Sequence, residues 1–267
     1  TTKELIGAIL ETRGPALKTQ GNLNNEIGVP LTLFGLNSTH VAAIVEMGMN
    51  HAGEISRLTQ MARPDAGLIT IVQPAHLEGL GSIDGVARAK GELFHGLPEG
   101  ATAVVNLDDA RIVAQAKQLK AKTLTFGRSS DAAVQLVSAV DQGAQGQLLS
   151  IRADARTWEV PLKLVGAHNA MNATGAFALA LSLGYRSEEC VAGLSRASAH
   201  ARRLQLKPGL HGVTVLDDCY NANPSSMTAA LQTLETLSQR GRAIAVLGDM
   251  LELGADETEA HATMGRT

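Results

Sequence analysis

The stretch AGLITIVQPAHLEGLGSIDGVARAKGELFHGLPEGATAVVNLDD, residues 66–109, sets two apolar runs on either side of a helical pattern. The runs at 66–73 and 101–109 have the length and apolar character of buried strands. Between them, in 82–97, apolar side chains recur at intervals of three and four, which is the spacing of an amphipathic helix. A strand, a helix and a second strand in this order predict an α/β fold with a mainly parallel sheet.

The same alternation extends through most of the chain. Residues 131–164 differ, because apolar and polar side chains alternate there in period two around turn residues. That region predicts a small antiparallel hairpin beside the parallel strands. The other predicted elements are a buried strand at 41–48 and helices at 2–12, 53–62, 168–183 and 187–197.

A new unit of strand, helix and strand is predicted near the end of the chain, at 212–218, 226–237 and 242–249. It follows the stretch ARRLQLKPGL (201–210), whose charges, proline and glycine interrupt the preceding pattern. Segments of this composition often separate domains. The interruption therefore predicts a domain boundary within this stretch.

We predict one domain at 1–201 and the beginning of a second at 202–267. Helical patterns start directly at Thr1 and run into HATMGRT at the other end. Both ends therefore look cut, and we expect a segment of a longer protein.

The composition excludes several classes of protein. The chain of 267 residues is 45% hydrophobic and carries a net charge of −3, whereas a general nucleic-acid binder would be basic. It has no run of about 18 apolar residues to span a membrane, and TTKELIGAIL (1–10) lacks the features of a signal peptide. Two cysteines, Cys190 and Cys219, give no disulfide framework. We predict a cytoplasmic protein.

Lys90 stands where the helical spacing calls for an apolar side chain. It lies four residues after Val86 and four before Phe94, near the middle of the stripe that should face the core. A lysine in such a place often lays its stem along apolar surface and keeps its ammonium in water. The alternative is a lysine whose charge is suppressed by burial or removed by modification.

Two further polar residues stand near the ends of predicted strands. Glu46 lies near the end of the strand at 41–48, and His76 follows the strand at 66–73. Each alone is more often structural, but residues just past the carboxyl ends of parallel strands line the ligand crevice of open sheets. Together with Lys90 they offer oxygen and nitrogen ligands that suit Mg²⁺ or Mn²⁺.

Hydroxyl and amide groups occur at two predicted helix starts. Thr1 and Thr2 precede the first helix, where threonine is an ordinary cap and where a phosphate-binding loop also ends. Asn169 and Asn172, three residues apart at the start of the helix at 168–183, share a face. They cap the helix or recognise the edge of a base or a polar substrate.

Polar residues also crowd two other segments. After the strand at 212–218 the sequence DDCYNANPSSM contains two aspartates, Asp217 and Asp218, next to Tyr220, and turn chemistry accounts only for its asparagines and proline. The loop TQGNLNNEIGVP (19–30) carries Asn22, Asn24 and Asn25 and is either a plain polar connection or a binding loop.

Seven stretches resemble the Mur ligase family and occur in its order. They are GNLNNEIGVPLTL, VEMGMNHAGEI, AHLEGLGS, ARAKGELF, GAHNAMNATGAFALALSLG, DDCYNANPSSM and VLGDMLELG. The resemblance covers nearly the whole chain. It implies a central P-loop-type ATPase domain followed by the start of a Rossmann-like C-terminal domain, and ATP-dependent amide-bond formation through an acyl phosphate with Mg²⁺. GNLNNEIG and YNANPSSM imply the member that adds D-alanyl-D-alanine to UDP-N-acetylmuramoyl-tripeptide in peptidoglycan precursor synthesis.

The resemblance also implies roles for individual residues. Lys90 would be carbamylated and would hold Mg²⁺ together with Glu46 and His76. The residues implied at the ATP site are Thr1, Thr2, Asn169, Asn172, Arg203, Asp218 and Tyr220. Those implied at the UDP-sugar peptide are Asn22, Asn24, Asn25 and His51.

The sequence departs from the family because the Gly-Lys of the phosphate loop is absent. We therefore expect activity of the full-length protein, as a monomer, rather than of these residues alone. Two alternatives remain open at this point. One is a ligase similar to folylpolyglutamate synthetase, and the other is a non-catalytic module that retains the ligase fold.

Overall fold

The computed structural model describes residues 1–74, 77–117, 119–238, 241–251, 253 and 257–267. The helices in these parts of the chain are α1 Thr2–Leu10, α2 Gly28–Phe34, α3 Glu54–Ala62, α4 Leu77–Leu80, α5 Ile83–His95, α6 Ala110–Gln115, α7 His168–Ser182, α8 Ser187–Arg196, α9 Pro224–Leu237 and α10 Glu257–Arg266. The strands are β1 Ala16–Lys18, β2 Ala42–Ile44, β3 Ala66–Ile69, β4 Thr102–Asn106, β5 Lys122–Gly127, β6 Val134–Asp141, β7 Gln147–Ala153, β8 Arg156–Leu162, β9 Gln205–Pro208 and β10 Thr214–Asp217.

The main sheet has six strands in the order β3-β4-β5-β6-β7-β8. Its first four strands are parallel, and β6, β7 and β8 continue it as an antiparallel meander. The predicted α/β fold with a mainly parallel sheet is confirmed. The predicted hairpin contains one more reversal, because the second run turns back at Asp154 and Ala155. These two residues have φ angles of 51° and 58°, as two-residue hairpin turns require.

Helices cover both faces of the sheet. On one face α1, α7 and α8 pack over the meander and the neighbouring strands, around buried Ile9, Phe126 and Phe177. On the other face α3, α5 and α6 enclose Leu58, Phe94 and other apolar side chains. Glycine permits the close contact between α8 and α1, since a Cβ on Gly193 would lie 2.4 Å from the Ile9 Cα atom.

The predicted strand at 41–48 is shorter than its apolar run. Only β2 forms, and it pairs in parallel with β1 in a separate two-stranded sheet. Beyond Ile44 the Thr19 side chain replaces the backbone partner, because its Oγ1 accepts a 2.9 Å hydrogen bond from the Glu46 N–H. The backbone therefore leaves the ladder before Glu46.

The predicted strand, helix and strand near the end of the chain are only partly correct. The segment β10 pairs antiparallel with β9, which the sequence pattern did not predict, and α9 follows. Residues 242–249 form no strand, and the Ile244 and Val246 side chains are 66% and 93% exposed. A strand needs a neighbour for its backbone hydrogen bonds, and no described strand pairs with this run.

In the described parts of the chain, no helix is both long and apolar enough to cross a lipid bilayer.

Candidate active site

A cleft in the described residues has a volume of about 1460 Å³. It passes the carboxyl ends of β3 and β4, where Thr70 and the terminal Asn106 line it. The predicted site residues that also line it are Thr1, Thr2, Glu46, Lys90, Asn169, Asn172, Arg203 and Asp218. Residues from five separated parts of the chain therefore meet in one cleft at the strand ends, as open α/β sheets favour.

Lys90 lies on α5 between buried Val86 and Phe94, as the helical spacing predicts. Its side chain is half-buried, and its Nζ donates a 2.7 Å hydrogen bond to the carbonyl of Ile71. Burial lowers the pKa of Lys90, and the negative charge of Asp109 partly opposes that shift. The amine is thus held by a neutral carbonyl rather than by a carboxylate, and it is burial that favours its uncharged form.

Two residues at the end of β4 were not predicted as part of the site. Asn106, 3% exposed, donates from Nδ2 to the carbonyl of Thr70 at 2.8 Å. Asp109 accepts a 2.7 Å bond from the Val72 N–H and also caps α6. The sequence feature that could have identified them is the polar end of the stretch ATAVVNLDD. Asparagine and aspartate are also common in ordinary turns, so this feature did not stand out.

Glu46 differs from its expectation. The sequence placed a carboxylate inside an apolar strand, but the side chain lies past the strand end and is 40% exposed. Its neighbours are the Lys3 Nζ at 3.8 Å and the Asn24 Nδ2, which donates to Oε1 at 3.3 Å. Glu46 therefore needs no buried partner, because water and these two groups satisfy its charge.

Lys3 is a further cleft residue that sequence reasoning missed. Its side chain is only 9% exposed, and its Nζ donates to the Thr19 carbonyl and lies 3.5 Å from Glu4. The ammonium is thus fixed near the amino end of α1 beside Glu46. The sequence did not indicate this role, because a lysine in the first turn of a helix is commonly solvated.

The predicted metal site is only partly visible. His76, the third predicted ligand, lies outside the described residues. No cluster of three or more histidine, cysteine, aspartate or glutamate side chains suited to a metal occurs in the described parts of the chain. The oxygens of Glu46 and of the threonines at α1 are hard donors that fit Mg²⁺.

Thr1 occupies the N-cap position of α1, and its carbonyl accepts from the N–H groups of Glu4 and Leu5. Its side chain makes no capping hydrogen bond. Thr1 is therefore the N-cap residue, as the sequence predicts, but its hydroxyl does not cap the helix. The hydroxyl is available to a ligand in the cleft. Thr2, the first residue of α1, lines the same cleft.

Asn169 and Asn172 lie on one face of α7, as their spacing predicts. The Asn169 side chain is buried, donates to the Val165 carbonyl at 2.8 Å and accepts from the Asn172 Nδ2 at 3.1 Å. Neither residue is the N-cap of the helix. This fixes both amide orientations, with half-buried Asn172 facing the cleft. Burial lowers the pKa of the neighbouring His168, which also lines the cleft.

The segment at the predicted domain boundary is tied to the end of β10. Asp218 accepts a 3.0 Å bond from the Leu204 N–H, and the Tyr220 N–H donates to the Arg202 carbonyl at 3.3 Å. Arg202 and Leu204 have φ angles of 62° and 46°, which strain non-glycine residues. Burial raises the pKa of Asp218, while the Leu204 N–H and Arg203 oppose the shift.

Tyr220 reaches the cleft through Arg203, whose guanidinium stacks on its ring. Arg203 itself lines the cleft. Tyr220 is not among the residues that line the cleft, and its described link to the cleft is this stacking on Arg203.

The four residues expected at the sugar peptide differ in their described contacts. Asn24 reaches Glu46, but Asn25 accepts from the N–H groups of Ile27 and Gly28 and so forms the turn into α2. The side chain of Asn22 is exposed. His51 is also exposed, with Nδ1 3.4 Å from Glu54. Asn24 alone thus has a described contact with a cleft residue.

Comparison with known families identifies the fold. The model of the Mur ligase middle domain matches residues 1–180, and the model of the Mur ligase glutamate ligase domain matches residues 202–267. The chain belongs to the Mur ligase family, as its seven motifs predict.

Within the family the chain is similar to one kind of ligase. It is 38% identical to the UDP-N-acetylmuramoyl-tripeptide–D-alanyl-D-alanine ligase of Bacillus subtilis (strain 168), over 99% of this chain and 57% of that protein. A crystal structure of MurF from Acinetobacter baumannii has a TM-score of 0.92 at 36% identity, over 99% of this chain and 57% of its own. The chain therefore spans little more than half the length of these relatives.

The chain is also similar to two structures that contain nucleotides. MurF ligase from Thermotoga maritima, in complex with ADP, has a TM-score of 0.88 at 26% identity, over 99% of this chain and 60% of its own. Folylpolyglutamate synthase from Mycobacterium tuberculosis, complexed with ADP and AMPPCP, reaches 0.69 at 18% identity, over 88% of this chain and 64% of its own. The second likeness shows a common fold alone.

Proposed function

We propose that the full-length protein is an ATP-dependent ligase that joins D-alanyl-D-alanine to UDP-N-acetylmuramoyl-tripeptide and releases ADP and phosphate. The main support is one cleft that gathers Lys90, Glu46, the α7 amides and Arg203, in a chain 38% identical to the B. subtilis ligase of that name. The reaction would complete a peptidoglycan precursor for cell-wall growth and division.

Nucleotide binding would use three groups that line the cleft. The N–H groups and hydroxyls at the start of α1 suit phosphate, because a helix amino end attracts anions. Asn172, held by Asn169, presents an amide to the base. Arg203 would add a planar guanidinium that binds phosphate oxygens through two hydrogen bonds.

Lys90 would act as a carbamate. Its neutral amine adds to the carbon of CO₂, so that an N–C bond forms, one C=O π bond opens onto oxygen and the amine proton passes to water. The half-buried ammonium is then replaced by an anion. Glu46, His76 and this carbamate are the residues that would hold Mg²⁺, which neutralises phosphate charge when it is bound.

The chemistry has two steps. A carboxylate oxygen of the tripeptide attacks the γ-phosphorus, the bond to ADP breaks and an acyl phosphate forms. The amine of D-alanyl-D-alanine then attacks the acyl carbon, and the tetrahedral intermediate loses phosphate while a proton leaves the nitrogen. The residues of the chain contribute chiefly by positioning and electrostatics, as in other phosphoryl transfers.

The proposal extends to organisation and location. The domains would be 1–201 and 202–267, each continued in the full-length protein, which would be a cytoplasmic monomer. Its partners would be its two substrates and no nucleic acid, in keeping with a net charge of −3.

Coupled ADP release by the full-length protein tests the reaction. We expect turnover that requires ATP, UDP-N-acetylmuramoyl-tripeptide and D-alanyl-D-alanine together. Turnover with tetrahydrofolate and glutamate instead would favour the folylpolyglutamate alternative. Absence of nucleotide binding would favour the non-catalytic module.

A further inference from the structure

Three consecutive residues at the end of β3 are each held by a different side chain. The carbonyl of Thr70 accepts from the Asn106 Nδ2 at 2.8 Å, and the carbonyl of Ile71 accepts from the Lys90 Nζ at 2.7 Å. The N–H of Val72 donates to the Asp109 Oδ2 at 2.7 Å. Both neighbours of the carbonyl that holds Lys90 are thus fixed from β4 and the turn after it.

These bonds begin where the strand ladder stops. The parallel pairing of β3 with β4 ends at Ile69 and Val105. Backbone groups beyond that point would otherwise turn to water and lose a fixed direction. Asn106 is buried and its own Oδ1 accepts from the Asp108 N–H, so its amide has one orientation.

We propose that Asn106 and Asp109 are positioning residues for Lys90. They hold the Thr70–Val72 segment so that the Ile71 carbonyl fixes the Lys90 amine at the cleft, in the place where it adds CO₂. The inference rests on the proposed function, because it concerns the same lysine.

A purely structural role for Asp109 is separable from this one. Its Oδ1 caps α6 by accepting from the N–H groups of Arg111 and Ile112, whereas Oδ2 makes the bond to Val72. Asp109→Ser retains a good capping residue but is too short to reach Val72. Asp108→Ser is the matched control, because the Asp108 side chain is exposed and, among the described residues, accepts only from the Arg128 N–H, while the bond from its own N–H to Asn106 is retained in the variant.

Asn106→Asp gives an independent second variant. The carboxylate retains the acceptor for Asp108 and replaces the amide donor that holds the Thr70 carbonyl. If Asp109→Ser folds poorly, Asn106→Asp still tests the inference through the hydrogen bond at the Thr70 carbonyl.

The experiment compares these variants in the full-length protein by three measurements: hydrogen exchange of the Val72 amide, the ¹³C carbamate signal after addition of labelled bicarbonate, and ligase kinetics. In Asp109→Ser we expect about tenfold faster exchange at Val72 and a carbamate signal several-fold weaker. We expect kcat about tenfold lower with KM for ATP nearly unchanged. Added bicarbonate should restore part of kcat, because mass action compensates for a poorly held amine, and Asp108→Ser should match wild type.

Equal Val72 exchange in Asp109→Ser and Asp108→Ser would overturn the inference, and so would a loss of activity that bicarbonate does not recover. An active wild-type protein without a carbamate signal would also overturn it while leaving the proposed ligation intact. An inactive wild-type protein whose carbamate signal weakens in Asp109→Ser would refute the ligation and support the positioning.

Discussion

The guanidinium carbon of Arg203 lies 4.0 Å from the ring centroid of Tyr220. The stacking orients a planar cation toward the cleft from the segment that joins the two predicted domains. A lysine cannot copy either the stacking or the paired hydrogen bonds of a guanidinium. In the proposed ligase, this contact would help Arg203 to reach phosphate when the domains close.

Arg203→Lys in the full-length protein should lower kcat by about ten- to a hundredfold and change the ATP KM less. The basis is the loss of a charge-assisted hydrogen bond of about 1.5–3 kcal/mol that strengthens at closure. Steady-state kinetics measure both constants. Arg202→Lys is the neighbouring control and should have little effect; small, equal effects at the two positions would refute the role of Arg203.

Lys90→Ala should reduce ligase turnover by about a hundredfold or more, because it removes a proposed magnesium ligand. Millimolar formate or acetate should partly restore turnover by supplying a carboxylate in the space left by the side chain. Lys163→Ala changes an exposed lysine outside the cleft and serves as control. A Lys90→Ala protein with wild-type turnover would exclude the carbamate role.

Glu46→Gln should raise the Mg²⁺ concentration needed for half-maximal turnover by about tenfold. The substitution retains the shape of the side chain and its bond to Asn24 while removing the charge that attracts the cation. A magnesium titration of turnover measures the shift, and thermal unfolding checks the fold. Glu159→Gln, on the exposed side of β8, should titrate like wild type; an unchanged titration in Glu46→Gln would remove it from the ligand set.

The stabilising effect of Glu189 should depend on pH. Its hydrogen bonds with Arg13 lower its pKa from 4.5 to about 2. A depressed pKa stabilises the folded state above the unfolded pKa, and this contribution is lost as pH falls toward the folded value. The Tm difference between wild type and Glu189→Gln should thus be full near neutral pH and shrink below about pH 4.5. A difference that stays constant down to about pH 2 would contradict the assignment.

Gly193→Ala should destabilise the protein by roughly 1–3 kcal/mol, through overpacking of α8 against α1. The added Cβ would lie 2.6 Å from the Ala8 carbonyl oxygen as well as against Ile9, and backbone atoms cannot rotate away. Urea unfolding followed by circular dichroism measures the change. Ala192→Leu, at the exposed neighbouring position of α8, should shift the midpoint little; equal shifts would disprove the close-packing explanation.

Much of the fold was predictable because the spacing of apolar residues along the sequence indicates which face of a helix or strand is buried. The helix around Lys90 and the parallel strands that flank it follow from apolar spacing alone. The prediction of a strand at 242–249 was wrong. An apolar run indicates that a segment can be buried, but it does not indicate whether a neighbouring strand is present to pair with it. The end of the strand at 41–48 was missed for a related reason: the Thr19 hydroxyl, far away in sequence, replaces the ladder there.

The site was less predictable than the fold. Motifs pointed to Asn169, Asn172 and Lys90, which do line the cleft, because their chemistry is unusual for their local positions. Asn106, Asp109 and Lys3 were missed, since each looks like ordinary turn or helix-start chemistry until its distant partners are known. Asn25 is the opposite case. It was predicted as a binding residue, and its described side-chain hydrogen bonds only form the local turn into α2.

The contact of α1 with α7 and α8 has a consequence for biosynthesis. The apolar side chains of α1 are buried by helices that lie about 160 residues later in the chain. At about 5–20 residues per second, ribosomes need roughly 10–40 seconds to deliver those helices. Throughout that interval Leu5, Ile6 and Ile9 have no native partner on α7 or α8. The nascent chain therefore exposes the apolar face of α1 early and buries it against α7 and α8 only once those helices have been synthesised.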